Sequence, residues 1–233
     1  MTRAGPFDII GDVHGCFDEL AELLGLLGYV LDDGAGARHP EGRRALFVGD
    51  LVNRGPATPD VLRLAMGMVA AGQAECVLGN HDQTLLEALQ PRRPAPLPAA
   101  PSSRASADTS GALSHGLGES LDQLAGEPPE FLAQVVAFIT AMAGHLVLDG
   151  GKLVVCHDGV PTALAGATSG DVTVVYGHTP VEVPVWANGT ICIDTGCVYG
   201  GRLTALRYPE RDLVAVAARR IYWLPAHLRG RGL

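Results

Sequence analysis

Ala45-Leu46-Phe47-Val48-Gly49-Asp50-Leu51-Val52-Asn53-Arg54-Gly55-Pro56 passes from four apolar residues directly into a turn bearing a carboxylate, an amide and a guanidinium. A short apolar run bounded by glycine reads as a buried strand. The polar turn is therefore expected at the carboxyl end of a strand, where ligands gather in open α/β sheets. An acid, an amide and a guanidinium together suit a site that holds cations on one side and a phosphate on the other. Asp50 is expected to bridge two metal ions there.

Five other strand-like runs end in turns of the same texture: Gly11-Asp12-Val13-His14-Gly15, Gly79-Asn80-His81-Asp82, Cys156-His157-Asp158-Gly159, Tyr176-Gly177-His178-Thr179-Pro180 and Ile193-Asp194-Thr195-Gly196. One rim of a sheet could collect all six. Asp, His and Asn offer oxygen and nitrogen donors, and no turn offers a thiolate pair. This donor set suits a catalytic Mn, Fe, Zn or Ni site and argues against a structural zinc. A lone Asp-x-His is weak evidence; six polar turns in one chain, each after a strand, are hard to obtain by accident.

Around these turns the chain alternates strands and helices. Strands are expected at Phe7–Ile10, before Gly49, and at Glu75–Leu78. Helices are expected over Phe17–Leu27, from Pro59 to Gly72 and after Asp82, with a Gly- and Asp-rich loop from Asp32 to Gly42. Pro91, Pro94, Pro96, Pro98 and Pro101 open a stretch to Ser110 with no face to bury, which reads as a mobile surface loop. Helices resume over Glu119–Leu124 and Pro129–Ala143. Strands follow at His145–Leu148, Lys152–Cys156, Val172–Tyr176, Thr190–Ile193, Leu203–Arg207, Leu213–Ala217 and Ile221–Leu224. A mixed α/β fold follows, with parallel strands first and antiparallel strands last.

The 233 residues suffice for one domain with a substantial core, and 47% hydrophobic against 18% charged residues is ordinary for a globular protein. A net charge of −8 with no basic stripe excludes a protein that coats nucleic acid through an extended groove. Polar residues break the longest apolar window, Phe131–Leu148, so no membrane span is expected. The five cysteines include no CxxC pair and suit a reduced, cytoplasmic compartment. Trp186 and Trp223 could stack a base, though packing is the commoner role. His115, in Ser114-His115-Gly116-Leu117, reads by default as part of a surface turn.

In order, the six turns resemble the signature of calcineurin-like metallophosphoesterases, in the branch that holds protein Ser/Thr phosphatases and diadenosine tetraphosphatases. The stretches Val61–Gly72 and Thr190–Gly201 are similar to the phosphatase domain of bacterial polynucleotide kinase-phosphatases of RNA end repair. The resemblance spans nearly all of residues 1–233 as a single domain apart from the 91–110 loop. It implies two packed mixed sheets flanked by helices. It further implies that Asp12 and His14 hold a first divalent ion, manganese ahead of nickel, iron or zinc. Asp50 would bridge to a second ion held by Asn80, His157 and His178. Arg54 would grip phosphate, His81 would protonate the leaving oxygen, and Asp194 would support the ligands from behind. Asn53 stands where this branch normally has Asp, whose carboxylate supports the catalytic histidine. The connection from His157 to His178 is short and holds no arginine, so an open site is expected.

The activity implied is hydrolysis of phosphomonoesters on nucleotides or RNA 2′ or 3′ ends, including 2′,3′-cyclic phosphates. A bis(5′-nucleosyl)-tetraphosphatase and a protein Ser/Thr phosphatase are the rival enzymes, and a non-catalytic binding module is the rival of another class. The substrate is thus a phosphorylated small molecule or a nucleic-acid end. No Gly-x-x-x-x-Gly-Lys-Ser/Thr loop is present, so a kinase activity is not expected.

Overall fold

The computed structural model describes residues 4–32, 36–90, 113–159 and 172–224. The chain begins with β1 (Phe7–Ile10), α1 (Phe17–Leu27), β2 (Val30–Asp32), β3 (Gly36–Arg38), β4 (Arg44–Phe47), α2 (Thr58–Ala70), β5 (Ala74–Cys76) and α3 (Asn80–Leu89). It continues with α4 (Gly118–Leu124), α5 (Pro129–Ala141), β6 (His145–Leu148), β7 (Leu153–Cys156), β8 (Thr173–Tyr176) and β9 (Thr190–Cys192). The last strands are β10 (Asp194–Thr195), β11 (Arg202–Tyr208) and β12 (Leu213–Ala217).

Two mixed sheets stack face to face. In the first, β1 pairs in parallel with β4, and β4 with β5. On its other side β1 pairs antiparallel with β11, which also carries β10 and β12. The second sheet runs β6-β7-β8-β9. Residue alternation along β1 and β4 explains the layering. Phe7, Ile9, Leu46 and Val48 face Val155, Val175 and Ile191 of the second sheet. Ile10, Ala45 and Phe47 face the helices. Helix α1 docks through Leu20, Leu23, Leu24 and Leu27, each nearly fully buried and worth roughly 1.5–3 kcal/mol. It stops at Gly28, whose left-handed φ of 96° lets Gly28 N–H reach Gly25 O and Tyr29 N–H reach Leu24 O. Buried Asp8 of β1 accepts from Arg43 Nη2 at 2.9 Å and Arg207 Nε at 3.3 Å, which ties the sheet edge together.

The layered α/β class is as expected, with three local differences. The Asp32–Gly42 segment holds β3, which forms a small hairpin with β2. The late strands are not all antiparallel: β7 pairs in parallel with β8, and β8 with β9. Ile221–Leu224 forms no strand. The N–H groups of Tyr222 and Trp223 both donate to Val198 O, which draws this segment onto the turn after β10. The Pro91–Ser110 loop lies outside the described residues. Among the described residues no helix is long and apolar enough to cross a membrane.

Candidate active site

Turns from both sheets converge at one rim. His14, Asp50, Asn53, Arg54 and His178 all sit at positive φ, from 47° to 74°. Non-glycine residues avoid this region unless the surroundings fix them, and such strain gathers at functional sites. The turns pack backbone to backbone: His14 N–H donates to Asp50 O and Gly15 N–H to Leu51 O. Gly79 is required by this closeness, since a Cβ there would collide with Asp50 N and Oδ1. Asp82, fully buried, accepts from Leu51 N–H at 3.0 Å and Gly79 N–H at 3.1 Å, fastening two turns to the start of α3. Asp50 Oδ1 in turn accepts His81 N–H at 2.9 Å.

Second contacts fix the histidines. His14 Nδ1 bonds Val52 O at 2.9 Å and His157 Nδ1 bonds Val48 O at 3.0 Å. A carbonyl can only accept, so both Nδ1 atoms carry hydrogen and both Nε2 atoms face inward. His14 Nε2 lies 3.6 Å from Asp50 Oδ2, and His157 Nε2 lies 3.4 Å from Asp50 Oδ1. Asn80 Oδ1 is 3.0 Å from His157 Nε2 and 2.9 Å from His178 Nδ1, and those two nitrogens are 3.2 Å apart. Asp12 receives the His178 backbone N–H at 3.1 Å. Electron pairs crowded this closely repel unless a proton or a cation lies among them. The donors therefore fit two divalent transition ions, with Asp50 between the two histidine groups.

The electrostatics agree. Burial pushes the Asp12 carboxyl well up, helped by Asp194 and Asp50 nearby. Burial likewise raises Asp194 to about 6 and Asp82 to about 7. Burial lowers His14 to about 4. Burial also works against the Asp50 carboxylate, but His157 and His14 outweigh it and hold Asp50 ionised. His157 is raised to about 9: burial opposes its charge, and its bond to Asp50 prevails. A cation held beside Asp50 and His157 would relieve the same crowding of charge that this proton does.

On the cavity side, Asn53 Nδ2 donates to His81 Nδ1 at 3.0 Å and to His81 O at 3.3 Å. His81 O can only accept, so Nδ2 is the amide atom that faces it, which leaves Asn53 Oδ1 buried without a partner among the described residues. His81 Nδ1 therefore accepts, and its hydrogen sits on Nε2. Burial pushes His81 down to about 3. Arg54 packs against the Tyr199 ring at 5.4 Å and the Trp223 ring at 5.3 Å, which themselves meet edge to face, and its Nη1 reaches His14 Nε2 at 2.8 Å. A cavity of about 260 Å³ is lined by Asp50, Arg54, Asn80, His81, His115 and His178. A second, of about 400 Å³, meets it at Asn80 and extends over His157, Gln83, His145 and Asp158.

The rim brings together all ten expected residues: Asp12, His14, Asp50, Asn53, Arg54, Asn80, His81, His157, His178 and Asp194. Asp194 lies behind the others and accepts Gly196 N–H at 3.0 Å. The sequence reading missed four contributors. His115 lines the cavity, where a surface turn was the default. Tyr199 and Trp223 grip Arg54, and Asp82 ties the turns. Asp82 carried a signal, as an acid at the third position of a helix that follows a site turn, and so did His115, whose stretch Ser114-His115-Gly116-Leu117 resembles the polynucleotide-phosphatase branch.

The calcineurin-like phosphoesterase profile matches residues 5–217. The bis(5′-nucleosyl)-tetraphosphatase PrpE (asymmetrical) of Anoxybacillus flavithermus is 33% identical, over 93% of this chain and 96% of its own. Its counterpart from Bacillus subtilis is 32% identical, over 90% and 93%. Among solved structures, a protein assigned as a diadenosine tetraphosphatase aligns with a TM-score of 0.62 at 22% identity, covering 92% of this chain and 94% of that one. A Saccharomyces cerevisiae protein serine/threonine phosphatase aligns at 0.57 and 11%, covering 94% and 81%. At such identities these two show the fold alone. The sequence relatives named here are tetraphosphatases, not polynucleotide kinase-phosphatases, so the likeness to the RNA-repair branch narrows to the family level.

Proposed function

Because the chain belongs to the calcineurin-like phosphoesterase family, a family of metal-dependent hydrolases of phosphoric esters, we propose that it splits dinucleoside tetraphosphates asymmetrically, into a mononucleotide and a nucleoside triphosphate. The observation that carries this reading is the Asn53–His81 pair. An amide N–H held against Nδ1 leaves His81 neutral, with only its Nε2 hydrogen to offer. Such a group is a weak acid for expelling a sugar alkoxide, which must leave with a proton. A phosphate leaving group, with its last pKa near 6, departs as an anion and needs no such help. The site therefore suits cleavage between phosphates better than cleavage of a phosphomonoester. The two cavities meeting at Asn80 add support, since a dinucleotide extends to both sides of the reacting phosphorus.

In this reading Asp12 and His14 would hold one divalent ion, Asn80, His157 and His178 would hold another, and Asp50 would serve both. The ions, manganese first among the candidates, supply an acidified water and neutralise phosphate charge. The chain's own residues do the rest. Arg54, kept in place by Tyr199 and Trp223, binds equatorial oxygens. His81 Nε2–H donates to the departing phosphate. Asp194 and Asp82 keep the turns in register. All five cysteines are unpaired, which suits the cytoplasm.

The test is a metal-by-substrate matrix with diadenosine tetraphosphate, p-nitrophenyl phosphate, an RNA 3′-phosphate and a phosphopeptide. Diadenosine tetraphosphate should give the highest kcat/KM with the best metal. Preference for the RNA end or the phosphopeptide would overturn the proposal, and hydrolysis of none would favour a binding module.

A further inference from the structure

Outside the phosphoesterase centre, Cys16, Glu19 and Cys197 form a second cluster. Their two sulfurs and a Glu19 carboxylate oxygen lie within 4.8 Å of one another, and the three residues are 0%, 0% and 1% exposed. Buried thiols alone would be unremarkable, because free cysteine packs as a small hydrophobe. Buried Glu19 is different. Its Oε1 accepts Arg219 N–H at 2.8 Å and the Tyr222 hydroxyl at 2.7 Å. Its Oε2 is buried and has no hydrogen-bond partner among the described residues. A carboxylate beside two buried sulfurs, oriented through one oxygen and left unbonded at the other, has the form of a metal ligand fixed by its outer contacts. An orphaned carboxylate oxygen is otherwise costly.

We propose that Cys16, Cys197 and Glu19 bind one soft divalent cation of the zinc class. Two sulfurs and one oxygen select such an ion over calcium or magnesium. Binding is balanced by release of both thiol protons to solvent: two thiols and one M²⁺ give a dithiolate complex and two H⁺. The three donors then carry three negative charges against two positive ones. The position gives the ion a structural task. Cys16 starts α1 two residues after His14, and Cys197 follows Asp194 and Thr195 of β10. The ion would clamp the turn bearing His14 to the turn bearing Asp194. It takes no part in hydrolysis, so the inference stands apart from the substrate reading.

Cobalt reports sulfur ligation directly. Full-length protein, stripped by chelator under reducing conditions, is titrated with Co²⁺ while its near-ultraviolet spectrum is followed. The phosphoesterase centre has no sulfur donor, so a thiolate-to-cobalt charge-transfer band reports the new site alone. The band should saturate at one equivalent, persist in Asp50→Asn, and vanish in Cys16→Ser and Cys197→Ser while surviving in Cys76→Ser. Absence of the band in folded wild type would overturn the proposal, as would its survival in Cys197→Ser. Should the serine variants unfold, X-ray absorption of zinc-loaded wild type decides. A sulfur shell at about 2.3 Å supports the site; a shell of nitrogen and oxygen only, or a Cys16–Cys197 disulfide in protein isolated without reductant, refutes it.

Discussion

Replacing Asn53 with Asp exchanges an N–H donor for a carboxylate about where Nδ2 now sits, 3.0 Å from His81 Nδ1. Nδ1 must then carry hydrogen, and His81 becomes stable as an imidazolium. Two opposite charges 4 Å apart attract by about 4 kcal/mol at an effective dielectric of 20. Part of this is offset, because the new carboxylate is buried, faces His81 O at 3.3 Å and feels Asp50. A rise of about 1–2 pKa units for His81 remains, or ~1.4–2.7 kcal/mol. The sign follows: a raised His81 stays protonated to higher pH, so the basic limb of the pH–rate profile moves up. Only substrates that need an acid should gain. For a nucleoside monophosphate, which leaves as an alkoxide, kcat/KM should rise about tenfold, a part of the ~10²–10⁴ that full general acid catalysis supplies. Diadenosine tetraphosphate and p-nitrophenyl phosphate should change little. All three are assayed from pH 3.5 to 9 in both proteins, which spans the expected shift of His81 from its lowered value. An equal change for every substrate, or a loss on the alkyl ester, would refute the claim that Asn53 acts through His81.

Asp50→Asn should lower kcat at least ~10³-fold, because the carboxylate between the two donor groups loses its charge; metal-saturated turnover checks this. Arg54→Lys should cost roughly 10²-fold in kcat/KM, since an ammonium cannot fork onto phosphate or pack a planar face against Tyr199 and Trp223. Asp82→Ala should destabilise the fold by about 3 kcal/mol, as Leu51 N–H and Gly79 N–H lose their acceptor; denaturant unfolding measures it. In chelator, the penalty of Asp82→Asn should shrink as pH rises. With the folded pKa raised to about 7, the stability Asp82 contributes is full below its unfolded value near 3.8 and is lost towards pH 7.

The strand-end turns were legible because polar residues directly after buried apolar runs stand out: Asp12, His14, Asp50, Asn80, His157 and His178 need neither helical nor strand periodicity to be noticed. Helix α1 was legible to the residue, because the Leu20, Leu23, Leu24 and Leu27 stripe and Gly28 mark its face and its end. The parallel pairing of β7, β8 and β9 was not, since short apolar runs do not declare their direction. Trp223 was read as packing because its partner Arg54 lies far away in sequence, and only the pairing of Tyr222 and Trp223 N–H with Val198 O brings it there. The tautomer of His81 was beyond sequence as well. Asn53 advertised a missing charge, but the direction of its amide emerges only beside the His81 carbonyl.

Product analysis tests the central claim most directly. Diadenosine tetraphosphate is incubated with the metal-loaded protein, and the nucleotides are separated at low conversion. Asymmetric cleavage predicts AMP and ATP in equal amounts, with neither product formed by Asp50→Asn. ADP as the sole product, or no turnover with any divalent metal, would contradict the account.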